Sequence, residues 1–378
     1  MTVARLSISV LARTVSPLVE LVKTFRTLLA AAAAVFAAAI LTRPEARADS
    51  VADFYRGKEL TVIVGYGPGG GYDVFARLLA RHLGKYMPGN PNVMVQNMPG
   101  AGSLRATNYL YNLAPKDGTT IGVLARDMPL LGLLDENPAV QFDPRRFTWL
   151  GSSSNFSNDA YVLIVRKDAP VKSIEDARRP GGPDLLLGGT AEGATGGDVP
   201  KILRDALGLH IKQVLGYRDT AAIFLAMERG EVMGRTIDLS GTRSTRPGWL
   251  KPDSDFRLLV AFGRRTRHPD FPDVPTAREL ATSDANRALI EFTEMPLLTM
   301  ARPFAAPPGI PADRAAALRT AFMAAHRDPQ YIAEAATVGV EVSPVSADEL
   351  TRSLDRMAAA PPQILDYARK LLAGEKRN

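Results

Sequence analysis

The chain contains no cysteine in its 378 residues, which excludes disulfide frameworks, cysteine-ligated metal sites and thiol catalysis. Its four histidines lie far apart and match no H-E-x-x-H or similar metal-ligand spacing. None of its glycine loops ends in Gly-Lys-Ser/Thr, so a P-loop is excluded, and Gly151–Asn155 lacks the final glycine of a nucleophile elbow. The sequence therefore predicts no catalytic residue, no metal site and no cofactor.

Long apolar runs are also missing after residue 48. Residues 1–27 carry four basic side chains against one acid, Glu20, and are followed by the apolar run Leu28–Leu41 and an A-x-A site at Ala46–Ala48. This pattern predicts a secretory signal peptide cut after about Ala48 and a periplasmic protein, with a retained N-terminal anchor as the alternative. Without this segment the chain has 40 basic and 38 acidic residues, so its formal charge falls from +6 to +2. Most of the basic excess therefore belongs to the targeting segment and does not indicate a nucleic-acid partner.

The mature sequence opens with a strand, a glycine loop and a helix. Leu60–Val64 is rich in β-branched residues, and Gly65–Asp73 follows it as a glycine-rich loop. Asp73 is predicted to cap the next helix. The apolar face of that helix has the 3.6-residue spacing, at Phe75, Leu78, Leu79, His82, Leu83 and Tyr86.

The same order of elements recurs twice. Val93–Gln96 leads through Asn97–Ser103 into a helix that starts at Leu104, with Ser103 as its predicted cap. Leu185–Leu187 leads through Gly188–Asp198 into another, which Asp198 is predicted to cap. Further strands are predicted at Thr120–Leu124, Tyr161–Val165, Gln213–Gly216, Met233–Leu239 and Phe256–Phe262. Strands that alternate with helices predict an α/β protein with mostly parallel sheets flanked by helices.

Three glycine loops at helix N-termini indicate an anion site. The first turn of a helix presents unpaired N–H groups and a partial positive charge, so an anion can bind there without a basic side chain. The loops would line one crevice at the carboxyl ends of the strands and bind a small negative ligand. Side chains predicted to face it are Arg126, which could clamp a carboxylate or pair with Asp127, and Glu192, Tyr217 and Asp238.

A dinucleotide enzyme is the rival interpretation. Gly65-x-Gly67-x-x-Gly70 satisfies the G-x-G-x-x-G pattern between a strand and a helix. Against it, the second strand ends in Gln96-Asn97 where an acid should bind the ribose, and Pro68 stiffens the loop. An exported nucleotide-dependent oxidoreductase remains the alternative function.

Several motifs together resemble a known family, the periplasmic receptors of tripartite tricarboxylate transporters, or Bug-type solute-binding proteins. The motifs cover nearly the whole mature chain, at Val64–Asp73, Val95–Gly102, Pro115–Thr119, Gly216–Arg218, Phe271–Thr276 and Phe304–Gly309. The resemblance implies a two-lobed periplasmic-binding-protein (Venus flytrap, type II) fold, with lobe 1 from residues 49–157 and 297–378 and lobe 2 from 158–296. It also implies a monomer without enzymatic activity that binds a small carboxylate and delivers it to an integral-membrane permease. A ligand-binding protein that serves a sensor shares the same binding physics.

The resemblance also implies where the ligand is held. Backbone amides and ordered waters of the first two loops bind the carboxylate in such receptors, and the second lobe completes the cage. With the side chains named above, the predicted ligand-binding residues are Tyr66, Gly67, Gly69, Gly70, Gly71, Asp73, Gly100, Ala101, Gly102, Ser103, Arg126, Thr190, Glu192, Gly193, Ala194, Thr195, Tyr217 and Asp238.

Overall fold

The computed structural model describes residues 50–134, 138–156 and 159–372. The predicted signal peptide and its cleavage site lie outside these residues. All elements named below belong to one compact unit, Val51–Asn378. Among the described helices, none has both the length and the apolar character needed to cross a membrane.

The described elements alternate between strands and helices over most of the chain. The strands are β1 (Glu59–Val64), β2 (Asn92–Asn97), β3 (Thr120–Val123), β4 (Thr148–Ser152), β5 (Tyr161–Arg166), β6 (Leu185–Gly188), β7 (Ile211–Val214), β8 (Gly234–Asp238), β9 (Phe256–Phe262), β10 (Pro303–Ala306) and β11 (Val345–Ser346). The helices are α1 (Val51–Tyr55), α2 (Gly71–Leu83), α3 (Leu104–Asn112), α4 (Met128–Leu134), α5 (Ile174–Arg178), α6 (Thr195–Leu207), α7 (Thr220–Glu228), α8 (Leu239–Thr245), α9 (Asp284–Thr299), α10 (Ala312–Ala325), α11 (Pro329–Thr337), α12 (Ala347–Ala358) and α13 (Pro362–Leu372).

The strands form two sheets. The first sheet has the order β11-β4-β10-β3-β1-β2 and the second the order β7-β6-β8-β5-β9. This arrangement confirms the α/β class with two helix-flanked sheets. The sheets are mixed rather than mostly parallel, however, since only β1 with β2 and β3, and β6 with β7 and β8, pair in parallel. The antiparallel pairs involve β4, β5 and β10, the strands through which the chain leaves one sheet, enters the other and returns.

Two helices begin earlier than their predicted caps. α2 begins two residues before Asp73, whose carboxylate accepts a hydrogen bond from the amide of Gly69 at 2.9 Å. α6 begins at Thr195, and the carboxylate of Asp198 accepts one from the amide of Gly193 at 3.0 Å. Both aspartates therefore bind back to the loop that precedes their helix, because a carboxylate in the first turn reaches those free amides. Each aspartate therefore holds the glycine loop that precedes its own helix.

The core of the first sheet is built from the predicted apolar face of α2. Its buried side chains pack against β1 from one side and against α10 from the other. The buried residues of this group include Phe75, Leu78, Leu79, Leu83, Val62, Val64, Leu318 and Phe322. This packing fixes the start of α2 relative to the end of β1, and so positions the first glycine loop.

Candidate functional site

A cavity of about 60 Å³ lies between the two sheets. One side is formed by residues that follow β1 and β3 and precede β10, and the other by residues of β5 and β8 and of the segments after β6, β7 and β8. The lining residues are Tyr66, Gly67, Gly70, Gly71, Tyr72, Arg126, Tyr161, Thr190, Thr195, Gly196, Asp219, Thr220, Arg235, Ile237, Asp238, Gly241 and Arg302. The cavity therefore lies at the carboxyl ends of the parallel strands, where open α/β sheets bind ligands.

The first glycine loop reaches the cavity because it lacks side chains at two close approaches. A Cβ on Gly67 would lie 2.9 Å from Oδ2 of Asp219, across the gap between the sheets. A Cβ on Gly71 would lie 3.0 Å from Nη2 of Arg302. Glycine at these positions lets the backbone at the start of α2 approach both partners.

Three buried arginines form the polar centre of the cavity, and we call Arg126, Arg235 and Arg302 the arginine cluster. Their exposed fractions are 2%, 4% and 1%. Arg126 and Arg302 come from the first sheet, and Arg235 lies on β8 of the second. Arginine remains protonated in proteins, so three positive charges converge on one small space.

Asp238 connects the two sheets through this cluster. Its Oδ1 accepts a hydrogen bond from Nη2 of Arg302 at 2.8 Å, and its Oδ2 accepts one from Nη2 of Arg126 at 3.2 Å. The amide of Gly241 also donates to Oδ1, at 2.6 Å, because Asp238 caps α8. One carboxylate at the end of β8 therefore holds two guanidiniums of the opposite sheet.

Aromatic rings hold the guanidiniums of the first sheet in place. The ring of Tyr72 stacks on Tyr66 at a centroid distance of 4.9 Å. Carbon Cζ of Arg302 lies 4.7 Å from the Tyr72 centroid, and that of Arg126 lies 5.5 Å from it. The Tyr72 hydroxyl also accepts a hydrogen bond from Nε of Arg126 at 3.0 Å. Burial raises the pKa of Tyr72, so its hydroxyl is neutral and can both accept and donate.

Several N–H groups of the cluster remain open. Nη1 of Arg126, Nη1 of Arg235 and Nε of Arg302 are buried and have no hydrogen-bond partner within the described parts of the chain. An unpaired buried donor is costly, and an arginine N–H more so than a neutral one. These groups are suited to bind a planar anion such as a carboxylate.

Two buried carboxyl groups adjoin the cavity. Asp127, beside Arg126, and Asp198, on α6, line a second space of about 30 Å³ behind the first. Burial, and then the charge of Asp198, raise the pKa of Asp127 well above its usual range. Burial also raises the pKa of Asp198 to about 7. Burial therefore favours the neutral form of both carboxyl groups, which line the same small space.

The structure brings part of the predicted set together. Of the predicted ligand-binding residues, those that line the cavity are Tyr66, Gly67, Gly70, Gly71, Arg126, Thr190, Thr195 and Asp238. The others lie outside its lining, namely Gly69, Asp73, Gly100, Ala101, Gly102, Ser103, Glu192, Gly193, Ala194 and Tyr217. Of the four charged side chains in the predicted set, Arg126 and Asp238 line the cavity, whereas Asp73 and Glu192 do not.

Several residues outside the lining have other contacts. Glu192 is exposed and lies 3.4 Å from Nζ of Lys201. The ring of Tyr217 lies over β6, 3.5 Å from the Cβ position of Gly188. The Ser103 hydroxyl accepts a hydrogen bond from the amide of Ala125 at 3.2 Å, so it joins the second loop to the end of β3 and does not cap α3.

Sequence reasoning missed two of the three arginines, as well as Tyr72, Tyr161 and Asp219. Arg235 lies inside the predicted strand Met233–Leu239, and Arg302 lies near the start of residues 297–378, which the family resemblance assigns to lobe 1. A charged residue flanked by buried strand residues is rarely buried without a partner. An arginine flanked by apolar residues was therefore the one available indication, but it does not show that Arg235 and Arg302 line the same cavity.

Comparisons with known proteins agree with this geometry. The family model described as "Tripartite tricarboxylate transporter family receptor" matches residues 75–365. A UPF0065 protein of Bordetella pertussis is 27% identical over 327 residues, which cover 83% of this chain and 90% of that protein. The structure of the periplasmic binding protein BugD superimposes with a TM-score of 0.66 at 20% identity, covering 84% of this chain and 98% of that one.

A further solved structure, MatC from Rhodopseudomonas palustris with bound malate, has a TM-score of 0.59 at 20% identity and covers 83% of this chain and 99% of its own. These two structural neighbours support the periplasmic-binding-protein fold that the sequence predicted. The family match spans more than half of the chain, from residue 75 inside α2 to residue 365. On this evidence, the chain belongs to the tripartite tricarboxylate transporter receptor family.

Proposed function

We propose that this protein is a periplasmic receptor that captures a small carboxylate between its two sheets and delivers it to an integral-membrane permease, without catalysing a reaction. One observation carries the proposal: three buried guanidiniums from both sheets line a single cavity, and one nitrogen of each has no hydrogen-bond partner among the described residues. A carboxylate satisfies such donors with two planar oxygens. The malate bound to MatC, a structural neighbour, supports a carboxylate ligand here.

The proposed mechanism is a population shift. A ligand that contacts Arg126 and Arg302 from the first sheet and Arg235 from the second binds best when the sheets are close together. We assign residues 49–157 and 297–378 to the first lobe and 158–296 to the second, because β1 to β4, β10 and β11 form one sheet and β5 to β9 the other. The permease would recognise the closed conformation of the two lobes.

Calorimetric titration of the protein purified from the periplasm of an expression host tests the binding step. Bound ligand is first removed by unfolding and refolding, and a panel of mono-, di- and tricarboxylates and NAD is then titrated. We expect one carboxylate class to bind, and Arg126→Met to weaken it by about a hundredfold, since a charged hydrogen bond and its ion pair are lost. Arg145→Met, an exposed arginine paired with Asp143, is the matched control.

Binding of NAD alone would refute the receptor proposal and favour the oxidoreductase. N-terminal sequencing of the same material tests export, and we expect the mature chain to begin at Asp49. Uptake of the labelled ligand by cells with and without this receptor tests delivery. Uptake that does not depend on the receptor would instead favour service to a sensor.

A further inference from the structure

One acid from each lobe lines the small space behind the ligand cavity. Asp127 lies between β3 and α4, and Asp198 lies in the first turn of α6. Asp127 is only 9% exposed, and neither of its carboxyl oxygens has a hydrogen-bond partner among the described residues. Asp198 is better satisfied, because the amide of Gly193 donates to its Oδ1. The population shift described above uses neither group.

An ionised Asp127 is costly in this space. A buried carboxylate without hydrogen bonds has lost its water and gained no donor, so its neutral form is favoured. Arg126 does not replace the water, since its Nη2 donates to Asp238 and its Nε to Tyr72. Burial raises the pKa of Asp127 well above its usual range, and the charge of Asp198 raises it further. A neutral carboxyl group therefore fits this space, and a charged one does not.

The other titratable and charged groups around the two acids leave this conclusion unchanged. Those that face Asp127 are Arg126, Tyr66 and Tyr72, and those that face Asp198 are Lys201 and Glu192. Burial raises the pKa of both tyrosines, so they are neutral. Burial raises the pKa of Asp198 to about 7, although the charge of Lys201 acts in the opposite direction. Asp127 is thus the group that most needs a proton.

The lining of the space favours a proton over a metal cation. Apart from the two acids and Arg126, the described lining consists of two threonines and six apolar residues, namely Leu130, Val199, Ile202, Phe262, Pro296 and Leu297. Hard cations take several oxygen ligands, whereas a proton needs one carboxyl oxygen. The space holds about 30 Å³, and a guanidinium on its wall repels any cation that is not absorbed into a neutral group.

We propose that closure of the two lobes binds one proton, held by Asp127 beside Asp198, so that carboxylate capture is coupled to proton uptake from solvent. The proposal rests on the proposed function and adds a proton as a second ligand of the same receptor. When the lobes separate, water reaches both acids and Asp127 ionises at its ordinary pKa. The carboxylate and the proton therefore bind cooperatively, and each raises the affinity of the other. Opening of the lobes releases both.

Calorimetric titration of the mature periplasmic protein, freed of bound ligand as above, counts the protons. Malate is the first probe, followed by the other members of the carboxylate panel, at about pH 7.5 in HEPES and in Tris. These buffers differ in ionisation enthalpy, so the difference in binding heat gives the number of protons taken up. We expect uptake of about one proton per carboxylate bound. The dissociation constant should rise about three- to tenfold between pH 7.5 and 8.5, because the closed lobes lose the proton that they require.

Asp127→Asn keeps the shape of the neutral acid and cannot titrate. We expect this variant to bind without proton uptake, and at pH 8.5 at least as tightly as the unaltered protein does at pH 7.5. Glu294→Gln is the matched control, because burial also raises the pKa of Glu294 to about 7. Its partners, Arg278 and the amide of Gly263, belong to the same lobe, so its protonation does not depend on closure. Proton uptake in this variant should equal that of the unaltered protein.

The outcomes separate the proton from the receptor function. Carboxylate binding without proton uptake, or with equal uptake in Asp127→Asn, overturns the proton proposal and leaves the receptor function intact. Replacement of sodium by choline should not change the affinity, and a loss of affinity would assign the space to a metal cation instead. If Asp127→Asn does not fold, the proton count and pH dependence of the unaltered protein decide. If no carboxylate binds, the receptor function fails, and the proton proposal fails with it.

Discussion

Replacement of Gly102 by alanine should weaken ligand binding through a contact between the two sheets that does not involve the ligand. Gly102 lies in the second glycine loop with φ +61°, and a Cβ there would lie 2.6 Å from Cβ of Ala194 and 3.5 Å from Cβ of Ala191. Both alanines belong to the third loop, on the second sheet. Since apolar carbon atoms pack at about 3.5–4.0 Å, the loops would have to separate by about 1 Å.

The expected cost has two parts. A left-handed backbone costs an alanine about 1–2 kcal/mol, partly offset by the smaller entropy of its unfolded chain. The overlap with Ala194 adds about 1–3 kcal/mol to the free energy of any arrangement in which the second and third loops are in contact. Because a penalty of about 1.4 kcal/mol on the bound arrangement is tenfold in affinity, we expect the dissociation constant to rise about 5- to 150-fold.

Gly57→Ala is the matched control for backbone strain. Gly57 has φ +71°, and its Cβ position has no atom within 4 Å, so the variant should lose about 1 kcal/mol of stability and keep its affinity. Urea unfolding and calorimetry measure the two quantities separately. Addition of Ala194→Gly to Gly102→Ala removes the overlapping atom and should restore affinity. Equal affinities in the Gly57 and Gly102 variants, or a double variant no better than the single one, would refute the reasoning.

Three more predictions concern buried acids and one aromatic ring. Burial raises the pKa of Asp198 to about 7, so its contribution to the free energy of unfolding is complete below about pH 4 and is lost as the pH rises through 7. Asp198→Asn removes this pH dependence and should raise the free energy of unfolding at pH 8 by about 2–4 kcal/mol, as measured by urea unfolding. Arg278→Met leaves the fully buried Glu294 without its ion-pair partner and should lower the free energy of unfolding by about 3 kcal/mol at pH 8. The loss should be smaller at pH 5, because burial raises the pKa of Glu294 to about 7 and its carboxyl group is then protonated. An equal loss at both pH values would contradict this. Tyr217→Ala should change the dissociation constant less than about twofold, because its ring lies over Gly188 outside the cavity, and a larger loss of affinity would return it to the ligand site.

The fold was predictable because its signals are local. β1 and α2 each carry their own periodicity, and the glycines between them mark the turn, so Leu60–Val64 and the face from Phe75 to Leu83 agree with the structure within a residue. Helix starts were less predictable, since an aspartate can bind back to its loop from inside the first turn, as Asp73 does. Strand direction was least predictable, because β10 pairs with β3 and β4 across about 150 to 180 residues of chain.

The site was predictable only as far as backbone loops reach. Glycine loops at strand ends indicated where the cavity lies, and sequence reasoning named Arg126 and Asp238, which line it, because they lie at or just after the ends of strands. Arg235 and Arg302 were missed, because their meeting with Asp238 depends on two sheets that approach each other from separate parts of the sequence. Such ion pairs depend on the tertiary structure, so a local residue pattern does not predict them.

The ion pairs of Asp238 also bear on how the receptor discriminates between ligands. Breaking a buried pair costs about 3–5 kcal/mol, so we expect a ligand to leave Asp238 paired with Arg126 and Arg302. The cluster nitrogens that have no partner among the described residues can be bound at no such cost. Asp238 then stays in place as a fixed negative charge that repels any further carboxylate. Backbone amides at helix N-termini accept anions of any charge, so in the proposed carboxylate site the arginine cluster and Asp238, rather than the glycine loops, would distinguish one anion from another.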